Sequence, residues 1–271
     1  MFSLVLATKN RTADLKVFLE SLVYSSYKNY EVILVDQSED SHALNNEGLA
    51  KNYDFVRYIR DSGRGLSRAR NIGLNYVSGT ILAFPDDDCW YPSEILKRVH
   101  AFLYESPCYF LCGSYQEPGD AFPVAGNIKR SINFINGNTN GVASVGIFIN
   151  LRKIALREIS FDEKIGAGTL LPIAEETDLI LRLIRKGYKG VQDTSFFVYH
   201  PVVRESNFLN VDKKFAAQAY VRFKNKRIPI VFFMMVLSVS KDILFIFSSA
   251  HRKSFIAKVK GIYYAVGMNE K

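Results

Sequence analysis

Short apolar runs alternate with segments of helical character through the first third of the chain. The runs that predict β-strands cover residues 3–7, 30–35, 55–59 and 81–84. Helices are predicted between them, over residues 12–22, 42–52 and 66–76. Such alternation is typical of a parallel sheet covered by helices. The predicted fold class is therefore α/β.

Polar loops follow three of these predicted strands, beginning at Thr8, Asp36 and Asp86. The carboxyl ends of parallel strands share one edge of a sheet, and open α/β sheets bind ligands along that edge. We therefore expect the three loops to form one binding site.

Three consecutive carboxylates, Asp86, Asp87 and Asp88, come directly after the fourth predicted strand. Crowded anions repel one another, so the cluster is costly unless a cation shares it. Carboxylate oxygens are hard ligands that suit Mg²⁺ or Mn²⁺. The alternative is a solvated acidic turn that leads into a helix near Ser93. The aromatic pair that follows, Trp90 and Tyr91, could stack on a sugar or fill the core.

The second half of the chain is less regular. Strands are predicted over residues 109–115, 142–149 and 196–199, with Asn-Gly turns at 136–137 and 140–141. The acidic segment 175–178 begins a helix that ends at Gly187, and acidic residues in a first turn also suit the helix dipole. His200 follows the last strand, and a lone histidine in such a place is typically a packed or surface residue.

The positive charge of the chain is concentrated in its tail. Residues 204–271 contain 13 Lys and Arg and 4 Asp and Glu, a net charge of +9, whereas residues 1–203 carry −1. The apolar stretch 228–250 within the tail is interrupted by Pro229, Lys241 and Asp242, so it is too short to span a bilayer. We predict one domain over 1–203 and a helical tail over 204–271. The tail either lies on an anionic membrane surface or packs on the domain, or it forms a dimer contact.

The three cysteines, Cys89, Cys108 and Cys112, are too few for a zinc site of two paired motifs. We expect them to be reduced thiols of a cytoplasmic protein. The first apolar run is cut short by Lys9 and Arg11, which is not typical of a signal peptide. The expected location is the cytoplasm, with peripheral attachment to the cytoplasmic face of a membrane through the tail.

Residues 2–201 resemble the GT-A glycosyltransferases of the family 2 type, which use nucleotide-diphospho-sugars and invert the anomeric centre. Five segments carry the resemblance in the order of the family: LVLATKNR at 4–11, VDQS at 35–38, GLSRARNIG at 65–73, DDD at 86–88 and EETD at 175–178. The resemblance implies a Rossmann-like, mixed sheet flanked by helices.

The resemblance also implies roles for individual residues. The expected nucleotide-binding residues are Thr8, Asn10, Arg11, Asp36, Arg70, Asp86 and Asp87. Asp36 would accept a hydrogen bond from the base, or else cap a turn. Arg70 would pair with the diphosphate, or else be an exposed helix arginine. Asp88 and His200 would ligate Mn²⁺ or Mg²⁺.

The segment that would supply the catalytic base departs from the family pattern. The family motif commonly reads Glu-Asp, whereas this chain has Glu175-Glu176, which places Glu176 at the position of the base. Glu175 is the second candidate and Asp178 the third, although Asp178 is better explained by an i,i+4 pair with Arg182. Residues expected near the acceptor or sugar are Trp90, Tyr91 and Asp178.

These features predict a metal-dependent inverting glycosyltransferase that moves a sugar from a nucleoside diphosphate, UDP in the first place, to an acceptor hydroxyl. The acceptor would be a saccharide or a lipid-linked saccharide, as in cell-surface polysaccharide, lipopolysaccharide or capsule assembly. One alternative is a nucleotidyltransferase, but residues 8–11 lack the glycine of a phosphate loop. A non-catalytic nucleotide-sugar-binding protein is a second alternative. A nucleic-acid partner is not expected, because the basic tail is also strongly apolar.

Overall fold

The computed structural model describes residues 1–120, 123–124, 126–133, 142–201 and 211–225, together with five helical positions between 252 and 263. The strands are β1 Phe2–Thr8, β2 Tyr30–Asp36, β3 Val56–Arg60, β4 Ile81–Ala83, β5 Phe110–Gln116, β6 Lys129–Ile132, β7 Ile147–Asn150 and β8 Gly190–Tyr199. The helices are α1 Thr12–Val23, α2 Asp40–Ala50, α3 Leu66–Leu74, α4 Ile95–Glu105, α5 Glu175–Arg185 and α6 Val211–Asn225.

The strands form one mixed sheet in the order β3-β2-β1-β4-β7-β5-β8-β6. The four strands of the first third are parallel, and Thr8 at the end of β1 lies opposite Asp36 at the end of β2. Ala7 also forms a parallel bridge with Asp86, just beyond β4. The prediction that these three loops share one edge is confirmed.

The other half of the sheet differs from the prediction in detail. β7 is antiparallel to both of its neighbours, and β8 pairs in parallel with β5 and antiparallel with β6. The strand predicted over 142–149 begins as a 3₁₀ turn at Ser144–Gly146, where the backbone of Gly113 lies too close to Gly146 to admit a Cβ. α4 corresponds to the helix expected near Ser93, β6 was not predicted, and the Asn-Gly turns lie outside the described residues.

The core has two layers because alternate residues of each strand face opposite sides of the sheet. Leu4 and Leu6 of β1 join one buried cluster with α1 and α4, whereas Val5 joins the other with α5. α3 covers that second face closely, since a Cβ on Gly73 would lie 2.5 Å from Val5. The helices thus hold the central strands, and the polar loops at their ends, in fixed positions.

α6 packs on the domain although it belongs to the predicted tail. Its residues Ala216, Ala217, Tyr220 and Val221 are buried against the segment 165–174. Residues 211–225 of the predicted tail are therefore helical and packed on the domain, and the division at 203/204 stays a prediction. The apolar stretch 228–250 lies outside the described residues.

Among the residues described, no helix combines the length and apolar character that crossing a bilayer requires. All three cysteines are buried free thiols, as predicted.

Candidate active site

The candidate site lies where β1, β2 and β4 end and where β8 reaches the same edge. Trp90 and Tyr199 exchange backbone hydrogen bonds of 2.9 Å, which anchor the acidic loop to the end of β8. His200, the next residue, is thereby brought to Asp88. Residues more than a hundred positions apart in the chain thus meet at one point.

Asp86, Asp88 and His200 form a cluster whose ligand atoms lie within 4.8 Å of one another. His200 Nε2 lies 3.0 Å from Asp88 Oδ1. Burial opposes ionisation of Asp88, but hydrogen bonding and charge from His200 and Arg11 outweigh it and lower its pKa to about 2. Two carboxylates and an imidazole fit a divalent cation, and the imidazole favours Mn²⁺ over Mg²⁺. Within the described structure the buried Nδ1 of His200 has no hydrogen-bond partner.

Asp87 has a different environment from the two aspartates that flank it. Its carboxylate accepts a hydrogen bond of 2.8 Å from Thr8 Oγ1 and pairs with Arg11 at 3.2 Å. Burial raises the pKa of Asp87 to about 6 despite these contacts. Arg11 also pairs with Asp88. Asp87 therefore fastens the acidic loop to the end of β1. It lies beside the cluster of Asp86, Asp88 and His200 and is not part of it.

A cavity of about 340 Å³, which we name the aspartate cavity, opens over this cluster. Its lining residues are Ala7, Thr8, Lys9, Arg11, Gln37, Arg64, Gly65, Leu66, Asp86, Asp87, Asp88, Ala167, Gly168 and His200. Lys9 and Arg64 are exposed cations that form no ion pair with any described residue. The sequence analysis missed Arg64, and its position between Gly63 and Gly65 at the end of β3 is the signal that could have indicated it.

Two residues that were predicted to bind the nucleotide, Asp36 and Asn10, form hydrogen bonds within the protein. The Asp36 carboxylate is fully buried and accepts hydrogen bonds from the Ser38 amide at 2.8 Å, Asn46 at 3.0 Å and Tyr58 at 2.9 Å. Asn10 accepts one from the Glu39 amide at 2.8 Å. Neither residue lines the aspartate cavity. Both oxygens of Asp36 already have partners, one in the following turn and the other on α2 and β3, which fits the turn-capping alternative.

Arg70 also differs from its predicted role, and it is neither an exposed helix arginine nor open to a diphosphate. It is completely buried, and its guanidinium contacts Asp86 at 2.9 Å and Glu175 at 3.1 Å. The ring centroids of Phe84 and Phe161 lie 5.8 and 5.3 Å from the guanidinium carbon of Arg70. A planar donor with two amino groups can serve two carboxylates at once. Arg70 therefore links the metal cluster to the first residue of α5.

The backbone before α5 is held in an unusual conformation. Ala174 has φ 76°, in the left-handed region that L-residues rarely adopt. Gly166, with φ 107°, lies against Glu175, and a Cβ there would come within 2.8 Å of Ser67 Oγ and 3.4 Å of the Glu175 carboxylate. The backbone at Gly166 and Ala174 thus fixes the direction in which the side chains of Glu175 and Glu176 project from the start of α5.

Glu175 and Glu176 line a second cavity of about 450 Å³, which we name the glutamate cavity. Its other lining residues are Tyr115, Val124, Val142, Ala143, Ser144, Ala167, Pro172, Ile173 and Ala174. Burial, and then the neighbouring Glu175, raise the pKa of Glu176, while the charge of Arg70 opposes that rise. The two cavities meet at Ala167.

The three residues predicted near the acceptor or sugar have other positions. Tyr91 is buried, with its ring against Phe18, so it fills the core. Asp178 is completely buried and pairs with Arg182 at 2.8 Å, which is the structural alternative. Trp90 stacks on Tyr199 at 5.8 Å beside the metal cluster and lines neither cavity.

Curated relatives of the chain are glycosyltransferases. UDP-Glc:alpha-D-GlcNAc-diphosphoundecaprenol beta-1,3-glucosyltransferase WfaP of Escherichia coli is 24% identical over 235 residues, which are 82% of this chain and 85% of WfaP. Glycosyltransferase GlyA of Streptococcus pneumoniae is 30% identical over 102 residues. That match covers 37% of this chain and 15% of GlyA.

Solved structures share the fold. The first 349 residues of S. aureus TarS in complex with UDP-GlcNAc align with a TM-score of 0.62 and 17% identity, over 83% of this chain and 67% of that one. Mannosyltransferase PcManGT of Pyrobaculum calidifontis, in complex with GDP-Man and Mn²⁺, aligns with a TM-score of 0.64 and 11% identity, over 98% and 86%. The predicted GT-A fold is confirmed.

The family model described as glycosyl transferase family 2 matches residues 3–165, more than half of the chain. That span includes the parallel strands, the three polar loops and Asp86–Asp88. The chain therefore belongs to glycosyl transferase family 2 and is a glycosyltransferase with the GT-A fold.

Proposed function

We propose that this enzyme is a metal-dependent, inverting glycosyltransferase that moves a sugar from a nucleoside diphosphate to an acceptor hydroxyl. The observation that carries the proposal is the pairing of two cavities that meet at Ala167. One contains a cluster fit for a divalent cation beside unpaired basic residues, and the other contains a carboxylate suited to act as a base. Arg70 joins their two acidic groups.

The aspartate cavity would hold the nucleoside diphosphate. Its volume suits a small ligand, and Lys9 and Arg64 are free to contact phosphate oxygens. Gln37 lies between the ends of β2 and β3, where its amide donates to Asp61 at 2.8 Å and its oxygen accepts from the Gly65 amide at 3.0 Å. The name of WfaP specifies UDP-Glc. UDP is therefore the nucleotide we propose first, with GDP as the comparison.

Asp86, Asp88 and His200 would hold Mn²⁺ or Mg²⁺, which supplies positive charge that stabilises the departing diphosphate. The side chains of His200 and Asp88 pair with each other, and the carboxylate of Asp86 pairs with Arg70. The chain itself thus keeps the donor atoms close together and oriented. Asp87 and Arg11 hold the acidic loop in place from the side of β1.

Glu176 would remove the proton from the acceptor hydroxyl as its oxygen attacks the anomeric carbon. In this single displacement the new bond from carbon to the acceptor oxygen forms as the bond to the diphosphate oxygen breaks, which inverts the configuration. The raised pKa of Glu176 places its proton affinity nearer to neutrality, where a carboxylate is a more effective base. Glu175 is held by Arg70 and would position its neighbour.

The acceptor would be a saccharide or lipid-linked saccharide of a cell-surface polysaccharide, lipopolysaccharide or capsule. The name of WfaP specifies a diphosphoundecaprenol-linked acceptor, which supports this setting. The basic tail would attach the enzyme to the cytoplasmic face of an anionic membrane, or it would contact a second subunit. Flotation with anionic and with neutral vesicles tests attachment, because only anionic vesicles should carry the protein.

Calorimetric titration tests the proposed donor site. UDP and GDP are titrated into the wild-type protein with and without Mn²⁺, and then into Asp88→Asn. We expect one nucleotide to bind in a Mn²⁺-dependent manner, and the Asp88→Asn substitution to abolish the dependence. Asp40→Asn is the matched control, because its side chain is fully exposed. If no nucleoside diphosphate binds under any of these conditions, the proposal is wrong.

A further inference from the structure

The glutamate cavity has few polar side chains. Glu175, Glu176, Ser144 and the hydroxyl of Tyr115 supply its polar side-chain groups, and the rest of its described lining is apolar. Every lining residue belongs to the described part of the chain, and none of them is Lys, Arg or His. The cavity thus has two carboxylates and mostly apolar walls.

The charge of this cavity selects against anionic ligands. Glu175 is balanced by Arg70 from the side of α3, but that guanidinium is completely buried and offers nothing to the cavity. A carboxylate or phosphate of a ligand would face Glu175 and Glu176, and no described lining residue supplies a cation to compensate its charge. Specificity often comes from such an unfavourable contact with the wrong ligand.

The walls select for apolar surface. Val124 is 48% exposed, and Ile173 and Tyr115 are only partly buried, although all three line a concave surface. A ligand that covers them removes apolar area from water, which is the main source of affinity in small-molecule pockets. The volume of about 450 Å³ leaves room beside a sugar ring for such a group.

We propose that the glutamate cavity takes an uncharged acceptor saccharide that carries an apolar group next to its reacting hydroxyl. The two carboxylates would receive the hydroxyl, and the walls formed by Val124, Val142 and Ile173 would receive the apolar group. This inference rests on the proposed function, because it takes Glu176 as the base. It excludes acidic sugars as acceptors, and it places any charged carrier group of a lipid-linked acceptor outside this cavity.

Three glycosides serve as probes, titrated by calorimetry below their micelle concentrations: octyl β-D-glucoside, methyl β-D-glucoside and octyl β-D-glucuronide. We expect the octyl glucoside to bind roughly 10-fold or more tightly than the methyl glucoside, because part of its chain is buried. We expect the glucuronide to bind at least roughly 10-fold more weakly than the octyl glucoside, because its carboxylate would lose water beside Glu175 and Glu176 without meeting a cation among the described lining residues. Equal affinities in either comparison overturn the proposal.

Variants assign the binding to this cavity. Val124→Ser and Ile173→Ser are expected to weaken octyl glucoside binding several-fold. Leu170→Ser is the matched control, because Leu170 is 62% exposed on the neighbouring loop and does not line the cavity. The proposal is wrong if Leu170→Ser loses as much affinity for octyl glucoside as the two cavity variants do. It is also wrong if neither cavity variant loses affinity, because the octyl chain then binds elsewhere.

The two proposals fail separately. Each glycoside titration is performed with and without UDP and Mn²⁺, and UDP binding is measured in every variant. Loss of the glycoside preference with UDP binding intact contradicts the acceptor proposal alone. Absence of UDP binding in the wild-type protein contradicts the donor site, whatever the glycosides do. Because Val124 is exposed, Val124→Ser keeps the test valid if Ile173→Ser fails to fold.

Discussion

Arg70 Nη1 lies 3.1 Å from Glu175 Oε1, a contact between α3 and the first residue of α5 that spans 105 positions of the chain. The other amino group of Arg70 contacts Asp86 at 2.9 Å. The guanidinium is completely buried, so both carboxylates depend on it for compensation. Breaking a buried pair of this kind costs about 3–5 kcal/mol.

Substitution of Arg70 tests its positioning role. Arg70→Lys keeps the charge but loses the planar, two-armed guanidinium that reaches Asp86 and Glu175 in a fixed geometry, so we expect kcat to fall about 100-fold with little change in the KM for the donor. Arg70→Gln also removes a charge that favours ionised Glu176. We therefore expect its activity to rise at higher pH than in the wild type, whereas Arg70→Lys keeps the wild-type pH profile. Identical profiles for both variants would reduce Arg70 to a packing residue.

The raised pKa of Glu176 predicts how activity depends on pH. A base must be ionised, so kcat should increase as the pH rises through this raised pKa, and Glu176→Gln should lower kcat by about 10²–10⁴-fold without affecting nucleotide binding. Glu94→Gln is the control, since Glu94 is an exposed residue ahead of α4. A flat pH profile between the ordinary carboxyl range and neutrality would contradict the assignment.

The same shift predicts how stability depends on pH. Between the ordinary pKa of a glutamate and the raised value, the folded protein binds more protons at Glu176 than the unfolded chain does. The free energy of unfolding should therefore fall as the pH rises through that window. Glu176→Gln should remove this part of the dependence and raise the melting temperature at the upper end of the window. Thermal unfolding of both proteins across the pH range checks this.

A pair of glycines separates backbone strain from contact with Glu175. Gly166 and Gly187 have φ 107° and 92°, so alanine should cost about 1–2 kcal/mol at either position. At Gly166 the added Cβ also meets Ser67 and Glu175, whereas at Gly187 nothing lies within 4 Å. We expect Gly166→Ala to lower kcat and Gly187→Ala to leave it unchanged, at similar losses of stability measured by urea unfolding. Equal kcat for the two variants would contradict a role for this contact.

The packing of α6 on α5 gives a prediction about stability. Lys224 Nζ lies 2.7 Å from Asp162 and 3.1 Å from the buried Asp178. Lys224→Ala removes the cation that pairs with Asp162 and leaves Asp178 with Arg182 alone, and we expect a loss of about 2–3 kcal/mol in urea unfolding. Lys214→Ala, an exposed position of the same helix, should cost less than about 0.5 kcal/mol. Comparable losses for the two variants would mean that α6 is not docked through Lys224.

The parallel half of the sheet could be predicted because local patterns determine it. Each of its strands is a short apolar run followed by a polar loop, and the edge shared by Thr8, Asp36 and Asp86 follows from that order. α4 lies where a helix was expected near Ser93, and Ile95, Val99 and Leu103 recur along it at helical spacing. β6 has one fully buried apolar residue, Ile132, and too little pattern to indicate an edge strand.

The roles of Arg70 and Asp36 could not be predicted, because their partners are set by tertiary structure. The position of Arg70 on a helix face looks exposed until Asp86 and Glu175 arrive from other parts of the chain. Asp36 ends a strand, as a base-reading residue would, but Asn46 and Tyr58 take up its carboxylate. Asp86 and Asp88 could be predicted as members of the candidate metal site from their place after β4, whereas His200 could be predicted only through the family resemblance.

The two cavities meet at a single loop residue, Ala167, and otherwise have separate walls. On the proposed function, the nucleotide left after transfer would leave through the aspartate cavity and the lengthened glycan through the glutamate cavity. Neither product would have to leave before the other could dissociate. A free nucleoside diphosphate should accordingly compete with the sugar donor but not with the acceptor, and a substituent that extends from the acceptor into solvent should not slow turnover.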